Sequence, residues 1–409
     1  MSEGVGSAHA RNGAPAQIRR ERRRAAARTK RQRSYMDYGI LFIVIFLSCF
    51  GLIMIYSITQ YSLSMSGMNP RQYLLNQLRS MAFGLFLMIF IGFVVDYRLI
   101  QKVSTPIFIA ALSMIPLVLT PLGRGQVNGA SRWLYIFGMS VQPSEIVKGS
   151  VIIFTVAIIN KRRYLLQSFV GVLTVLATVA GIPAAMLFFI TDNMSSAIIV
   201  CGIVFFLLFV ASKKYWHYVL LGGGAVGAVG LLVYLVRSNI IDAASDFRFA
   251  RITAWLDPYA DSSGVGYQIL QSLYSIGSGG IFGKGLGHSI QKMGYIPEAQ
   301  NDMIFSIICE ELGVFTGIAI IFMFMILIWR MMIVASNAVD LYGSMLVVGV
   351  MSHLGLQVVI NVAVVTNVIP NTGIPLPFIS YGGTAMFMFL AEIGIVISVA
   401  RRIPVEERE

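Results

Sequence analysis

Charge is scarce in this 409-residue chain. Asp, Glu, Lys and Arg together make up 12% of it, against about 25% in a soluble domain. With 56% hydrophobic residues and a mean hydropathy of +0.76, that shortage excludes a water-soluble fold. Cysteine is nearly absent as well. Cys49, Cys201 and Cys309 stand singly in or beside apolar runs, so neither a disulfide framework nor a thiolate metal site is expected. Four scattered histidines, with no HExxH or CxxC, give no metal motif. Alternating segments of about ten residues are missing too, which excludes a transmembrane β-barrel.

What is present is a series of helix-length apolar runs. A hydrocarbon core about 30 Å thick needs roughly 20 apolar residues per spanning helix. The chain therefore reads as an all-α integral membrane protein of about ten transmembrane helices. They are expected near 38–59, 78–96, 103–120, 145–160, 168–189, 194–211, 216–236, 303–330, 340–365 and 380–400. A basic tail, 1–36, precedes a polytopic domain, 37–403, and a short end, 404–409. The tail carries Arg19, Arg20, Arg22, Arg23, Arg24, Arg28, Lys30 and Arg31. Because it abuts a span, anionic lipid is a better partner for it than nucleic acid, and its Ala, Gly and polar content argues for disorder. The first apolar run is long enough to span and no small-residue cleavage site follows it, so a cleaved signal peptide is not expected.

Positive residues give the orientation. With both termini cytoplasmic, Arg98, Lys102, Lys161, Arg162, Arg163, Lys213, Lys214, Arg330, Arg401 and Arg402 all fall on inner turns. The outer segments then hold most of the Pro and far more Gly than the inner turns, and function is expected there. The largest, 237–302, lies between helices seven and eight. It reads as a long irregular loop, and such loops are usually functional or disordered. Its aromatics and turn glycines argue against disorder. In the seventh helix, Gly222, Gly223, Gly224, Gly227 and Gly230 form a small-residue face, suited to internal packing or to a helix that moves to admit a lipid.

Candidate chemistry gathers at the end of the large loop, Ile296-Pro-Glu298-Ala-Gln300-Asn301-Asp302. Asp302 precedes an apolar helix. It is either an N-cap or a general base at the outer boundary, with capping lowering its pKa and apolar surroundings raising it. The glycine-rich run 277–287 is not a Walker A loop, since Ser278 and Gly285 stand where Gly and Ser or Thr are required. It either turns the chain tightly or, with Lys284, His288 and Lys292, holds a pyrophosphate. Glu310 and Glu311 lie about two turns into the eighth helix, where ionisable groups are costly and pair; Arg132 or Lys148 are candidate partners. Lys148 falls one turn into the fourth span, and Pro375 to Gly383 interrupts the helical pattern around Ser380.

These pieces occur in one order: NGASRW at 128–133, QPSE at 142–145, LDP at 256–258, GYQILQSLYSIGSGG at 266–280, GKGLGHSIQK at 283–292, IPEAQND at 296–302, EELG at 310–313 and ISYGG at 379–383. Together they resemble the SEDS family (shape, elongation, division and sporulation), over essentially the whole chain after the tail. Two departures stand out. Gln300-Asn301 replaces a frequent His-Thr, and Asn193 replaces a frequent acid.

The resemblance implies a peptidoglycan glycosyltransferase in the bacterial cytoplasmic membrane. It would polymerise lipid II into glycan strands at the outer face, beside a class B penicillin-binding protein that crosslinks them. The basic tail is more in the style of the division member than the elongation member, which implies the division septum and other division proteins as partners. Within that reading Asp302 is the expected general base. Arg132, Arg251, Lys284, His288, Lys292 and Glu298 are expected to bind substrate, with Lys148, Glu310, Glu311 and Ser380 in support. No cofactor is required by the sequence, though a divalent cation, Mg or Mn, could assist. A lipid II flippase and a non-enzymatic division scaffold are the alternatives.

Overall fold

The computed structural model describes residues 36–65, 70–123, 132–136, 139–238, 247–259, 264 and 266–404. The basic tail and residues 404–409, apart from the edge positions just given, lie outside them. The fold is an all-α membrane bundle. In chain order its helices are α1 (Tyr38–Met65), α2 (Pro70–Phe93), α3 (Tyr97–Lys102), α4 (Ser104–Leu117), α5 (Pro143–Lys161), α6 (Phe169–Thr191) and α7 (Met194–Ala211). They continue with α8 (Trp216–Arg237), α9 (Phe247–Leu256), α10 (Tyr267–Gly279), α11 (Ile304–Ser336), α12 (Leu341–Val365) and α13 (Gly383–Ala400). An antiparallel hairpin, β1 (Leu134–Ile136) and β2 (Met139–Val141), pairs Leu134 with Val141 just before α5.

Among the described residues nine helices are long and apolar enough to cross a membrane, and α4, at 14 residues, is a shorter apolar helix. Two expectations need correcting. The second span starts at Pro70 rather than near residue 78, because Pro at a first helical position carries the helix back through the polar RQYLLNQ turn. The 237–302 segment is also not irregular throughout. It contains α9 and α10, both amphipathic, so polar residues interrupt their apolar ones and neither forms an apolar run.

Basic turns gather at one end of the bundle. Arg330 pairs with Asp37 at 2.9 Å, Arg98 with Asp340 at 3.0 Å and Arg402 with Asp96 at 2.7 Å. The opposite end is marked by Ser57 on α1, Asn361 on α12 and the carboxyl-terminal half of the large loop. Ser57 and Asn361 each stand 20 residues along their helices from Asp37 and Leu341, a rise of about 30 Å, one hydrocarbon thickness. Where helices cross tightly, glycine permits it. A Cβ on Gly84 would lie 2.6 Å from Leu390 Cδ1 and 2.8 Å from Phe387 Cα, so α2 and α13 approach backbone to backbone.

The glycine face of α8 behaves differently. A Cβ on Gly223, Gly224, Gly227 or Gly230 meets nothing within 4 Å. The internal-packing reading of that face therefore does not hold among the described residues.

Candidate active site

The site forms at the loop-bearing end, around a backbone segment, 366–382, that joins α12 to α13. Three elements are strapped to that segment. Trp255 on α9 donates Nε1–H to the Asn367 carbonyl at 3.1 Å, and Ser272 on α10 donates at 3.0 Å to the carbonyl of Val365, the α12 residue that leads into the segment. Asn371 donates to Gln268 Oε1 at 2.8 Å. Tyr381 N–H donates to the Gln300 carbonyl at 2.8 Å, which fixes the approach to Asp302.

Asp302 ends this approach, two residues before α11. It is not the helix cap, since Met303 holds that position without a side-chain cap bond. Its Oδ2 lies 3.6 Å from where a Cβ on Gly373 would be, so the carboxylate packs beside the 366–382 segment. Burial pushes the Asp302 carboxyl up to about 7, outweighing its own and Met303's amides; Glu298 raises it further and Arg251 opposes. A carboxylate poised near neutrality is suited to proton abstraction.

Arg251, on α9, is within electrostatic reach of both Asp302 and Arg132, and burial lowers its pKa from the usual guanidinium value. Its Nη1 donates to the Asn371 carbonyl at 3.2 Å. Arg132 is also desolvated and lowered. It is held by the carbonyls of Thr191 and Asp192, at 3.2 and 2.6 Å, at the end of α6. Both stay charged, because a guanidinium titrates far above neutrality. Glu298, at a positive φ of 50°, is exposed and accepts from Asn301 Nδ2. Glu298 and Arg251 thus lie within electrostatic reach of Asp302, and Arg132 within reach of Arg251.

The other cationic candidates are engaged elsewhere. Lys284 pairs with Glu310 at 2.7 Å and Lys292 with Glu311 at 2.7 Å. Lys292 also donates to Ser57 Oγ at 3.1 Å, and that hydroxyl donates to Glu311 at 2.9 Å. Ser289, Ser275 and Ser278 add hydroxyl donors to Glu310. These are the partners of the two glutamates, in place of the expected Arg132 or Lys148. The glycine-run amides are committed too, with Lys284 N–H and Gly285 N–H donating to the carbonyls of Glu310 and Glu311 at 2.9 Å. His288 is exposed beside its own turn, its Nδ1 3.1 Å from the Leu286 carbonyl.

Lys148 pairs within α5, 2.7 Å from Glu145 Oε2, and donates to Gln357 Oε1 at 3.1 Å. Ser380 is buried and closes the turn before α13, its Oγ accepting from Leu376 N–H at 2.7 Å. Asn193, which lacks the expected charge, caps α7 by accepting from Ser196 N–H at 3.0 Å.

The sequence reading missed Asn361 and Gln357. One Asn361 amide donates to the Asp302 carbonyl at 2.8 Å and to the Ile374 carbonyl at 2.7 Å, tying the acid to the 366–382 segment. One turn along α12, Gln357 Nε2 donates to the Pro375 carbonyl at 3.0 Å, and His353, a further turn along, bonds Glu392 at 2.9 Å. The signal was available: His353, Gln357 and Asn361 recur every four residues in an apolar run, which places them on one helix face.

The pattern of the protein family described as "Cell cycle protein", covering FtsW, RodA and SpoVE, matches residues 38–403. Stage V sporulation protein E of Bacillus subtilis (strain 168) is 36% identical over 368 residues, which is 89% of this chain and 97% of that protein. The probable peptidoglycan glycosyltransferase FtsW of Geobacter sp. (strain M18) is 34% identical, over 90% of this chain and 97% of its own length. Among solved structures, a chain of a peptidoglycan synthase complex that coordinates polymerization and crosslinking aligns with a TM-score of 0.71. It is 26% identical and covers 90% of this chain and 98% of that one. The rod shape determining protein RodA of Thermus thermophilus shares the fold, with a TM-score of 0.62 at 23% identity over 91% of this chain and 98% of its own. This chain is a multi-pass membrane protein of the SEDS family, and it belongs with the FtsW-like members.

Proposed function

We propose that this protein is a peptidoglycan glycosyltransferase that polymerises lipid II at the outer face of the bacterial cytoplasmic membrane, with both termini cytoplasmic. The observation that carries the mechanism is the placing of Asp302: a half-buried carboxyl whose desolvation raises its pKa to about 7, within electrostatic reach of the desolvated Arg251, with Arg132 beyond that arginine, at the end of the bundle away from the basic turns. Asp302 takes the proton of the 4-hydroxyl on one lipid-linked sugar. The freed oxygen attacks the anomeric carbon of the other, the C–O bond to the pyrophosphate breaks, and undecaprenyl pyrophosphate leaves. One displacement at that carbon inverts it.

Positioned proton transfer contributes typically 10²–10⁴-fold, so stabilisation of the leaving charge must contribute as well. Arg132 and Arg251 take that role. Lys284 and Lys292, already paired with buried carboxylates, hold the loop instead. Among the described residues no cluster of three or more His, Cys, Asp or Glu could hold a metal ion. Mg sites are often completed by one or two carboxylates plus substrate phosphates. A divalent ion arriving with the pyrophosphate would draw on Glu298 and would supply charge neutralisation.

A class B penicillin-binding protein is the partner this reading assigns, with the division septum as its place. The test is glycan synthesis from lipid II by the purified chain with its partner in liposomes. An Asp302→Ala variant that binds the partner should make no strands above background. A variant that polymerises at the unaltered rate removes Asp302 from the mechanism, and movement of lipid II between leaflets without polymer would favour the flippase.

A further inference from the structure

The glycine-rich turn after α10 does not extend from the bundle into water. Four backbone hydrogen bonds bind it to α11. Lys284 N–H and Gly285 N–H donate to the carbonyls of Glu310 and Glu311 at 2.9 Å, and Val314 N–H and Phe315 N–H donate to the carbonyls of Gly280 and Ile281 at 2.9 and 3.2 Å. The contact needs glycine on both sides. A Cβ on Gly283 would lie 2.3 Å from the Glu311 carbonyl oxygen, and one on Gly313 would lie 2.0 Å from that of Ile281. Gly313 has φ 84° and ψ 163°, so α11 leaves helical geometry where the turn docks, a conformation other residues adopt only with strain.

This docking sets the depth of the turn. Glu311 is level with Ser57, about 30 Å from the basic end, and Phe315 stands one turn further into the span. From Phe315 an exposed apolar stripe runs down α11 through Ile318, Phe322, Met325 and Trp329, at the three- and four-residue spacing of one helix face. That stripe is a face of the membrane span that no described residue covers. Ile281, bonded to Phe315, continues it outward, 67% exposed, and the neighbouring Phe282 is 84% exposed. Leu286, half exposed, follows. A rigid turn that leaves a phenylalanine this bare in water would forfeit about 2 kcal/mol relative to burying it, whereas acyl chains cover it without further folding.

We propose that the 280–286 turn is a membrane-inserted wedge, with Ile281 and Phe282 seated among the acyl chains of the leaflet next to the site. Its occupant is lipid, because its apolar side chains continue the uncovered apolar face of a membrane span at the depth where that span enters the acyl chains. The Lys284–Glu310 and Lys292–Glu311 pairs lock the wedge to α11, and α11 begins two residues after Asp302. The bilayer surface thereby sets the depth of the acid relative to lipid-linked sugars.

The test uses the full chain in liposomes containing a phospholipid with a diazirine on its acyl chain, with adducts mapped on peptides after illumination. Adducts at 281–286 are expected at a yield comparable to those at 315–318. Adducts at 315–325 with none at 281–286 would overturn the wedge. A nitroxide on Phe282→Cys, in a chain whose three native cysteines are replaced by serine, reads the same depth independently. Greater access to oxygen than to a water-soluble nickel chelate, as at Ile318→Cys, is the expected result. Aqueous access like that of a label at His288 would overturn it, and would leave the turn as a surface for a protein.

Discussion

Asp302 separates two readings the sequence left open. As an N-cap its pKa would fall below the ordinary carboxylate range; as a half-buried, desolvated acid it rises. The geometry selects the second, since the cap position belongs to Met303 and burial dominates the carboxyl. The base must be deprotonated to act, so polymerisation should fall as pH drops through about 7, a profile measurable from initial rates at saturating lipid II. Stability carries the opposite sign. The folded acid holds its proton to about 7 and the unfolded one only to about 4, so wild-type stability declines as pH rises between those values. Asp302→Asn should therefore melt higher than wild type at pH 8, with the gap closing toward pH 4; equal melting temperatures throughout would contradict the burial. Asn361 is the second residue at this scale. Asn361→Asp removes both donors to the Asp302 and Ile374 carbonyls, and a displacement near 1 Å costs about 10²-fold. A fall of that order in kcat with little change in KM is expected, whereas Ser352→Ala, on the same helix, should leave both alone.

Among the elements, α11 departs furthest from its sequence. A 33-residue apolar stretch reads as one long span with two acids buried inside it. The break at Gly313 makes it two helices, and Glu310 and Glu311 belong to the shorter one, where the glycine turn supplies their lysines. Sequence spacing could not show this. Lys284 and Lys292 lie 26 and 19 residues from their partners, and such pairing is set by tertiary docking, not helical period. Removing one member of a buried pair leaves an uncompensated charge, at about 3–5 kcal/mol. Lys292→Met should cut thermal stability sharply, and adding Glu311→Gln should restore most of it. A double variant as unstable as the single would show that Glu311 is not the partner that matters.

At the scale of the whole molecule, the membrane class, the order of the spans and the basic turns were legible because hydropathy and positive charge act locally along the chain. The site was legible only in part. Arg251 bonds the 366–382 segment and lies within electrostatic reach of both Asp302 and Arg132, an encounter that residues far apart in the chain reach only through the fold. The lysines do not join them, since glutamates buried in the same bundle claim them first. Deleting residues 1–33 leaves every contact described above in place, so glycan synthesis in vitro should persist while localisation in cells weakens; lost synthesis in detergent would contradict that. The most direct measurement is the rate of glycan strand formation from lipid II by the reconstituted chain and its partner, wild type against Asp302→Ala, across pH 5 to 9. A wild-type rate that climbs through about pH 7, beside a variant with no detectable product at any pH, is the predicted result. Strands made by the variant at the wild-type rate would contradict it.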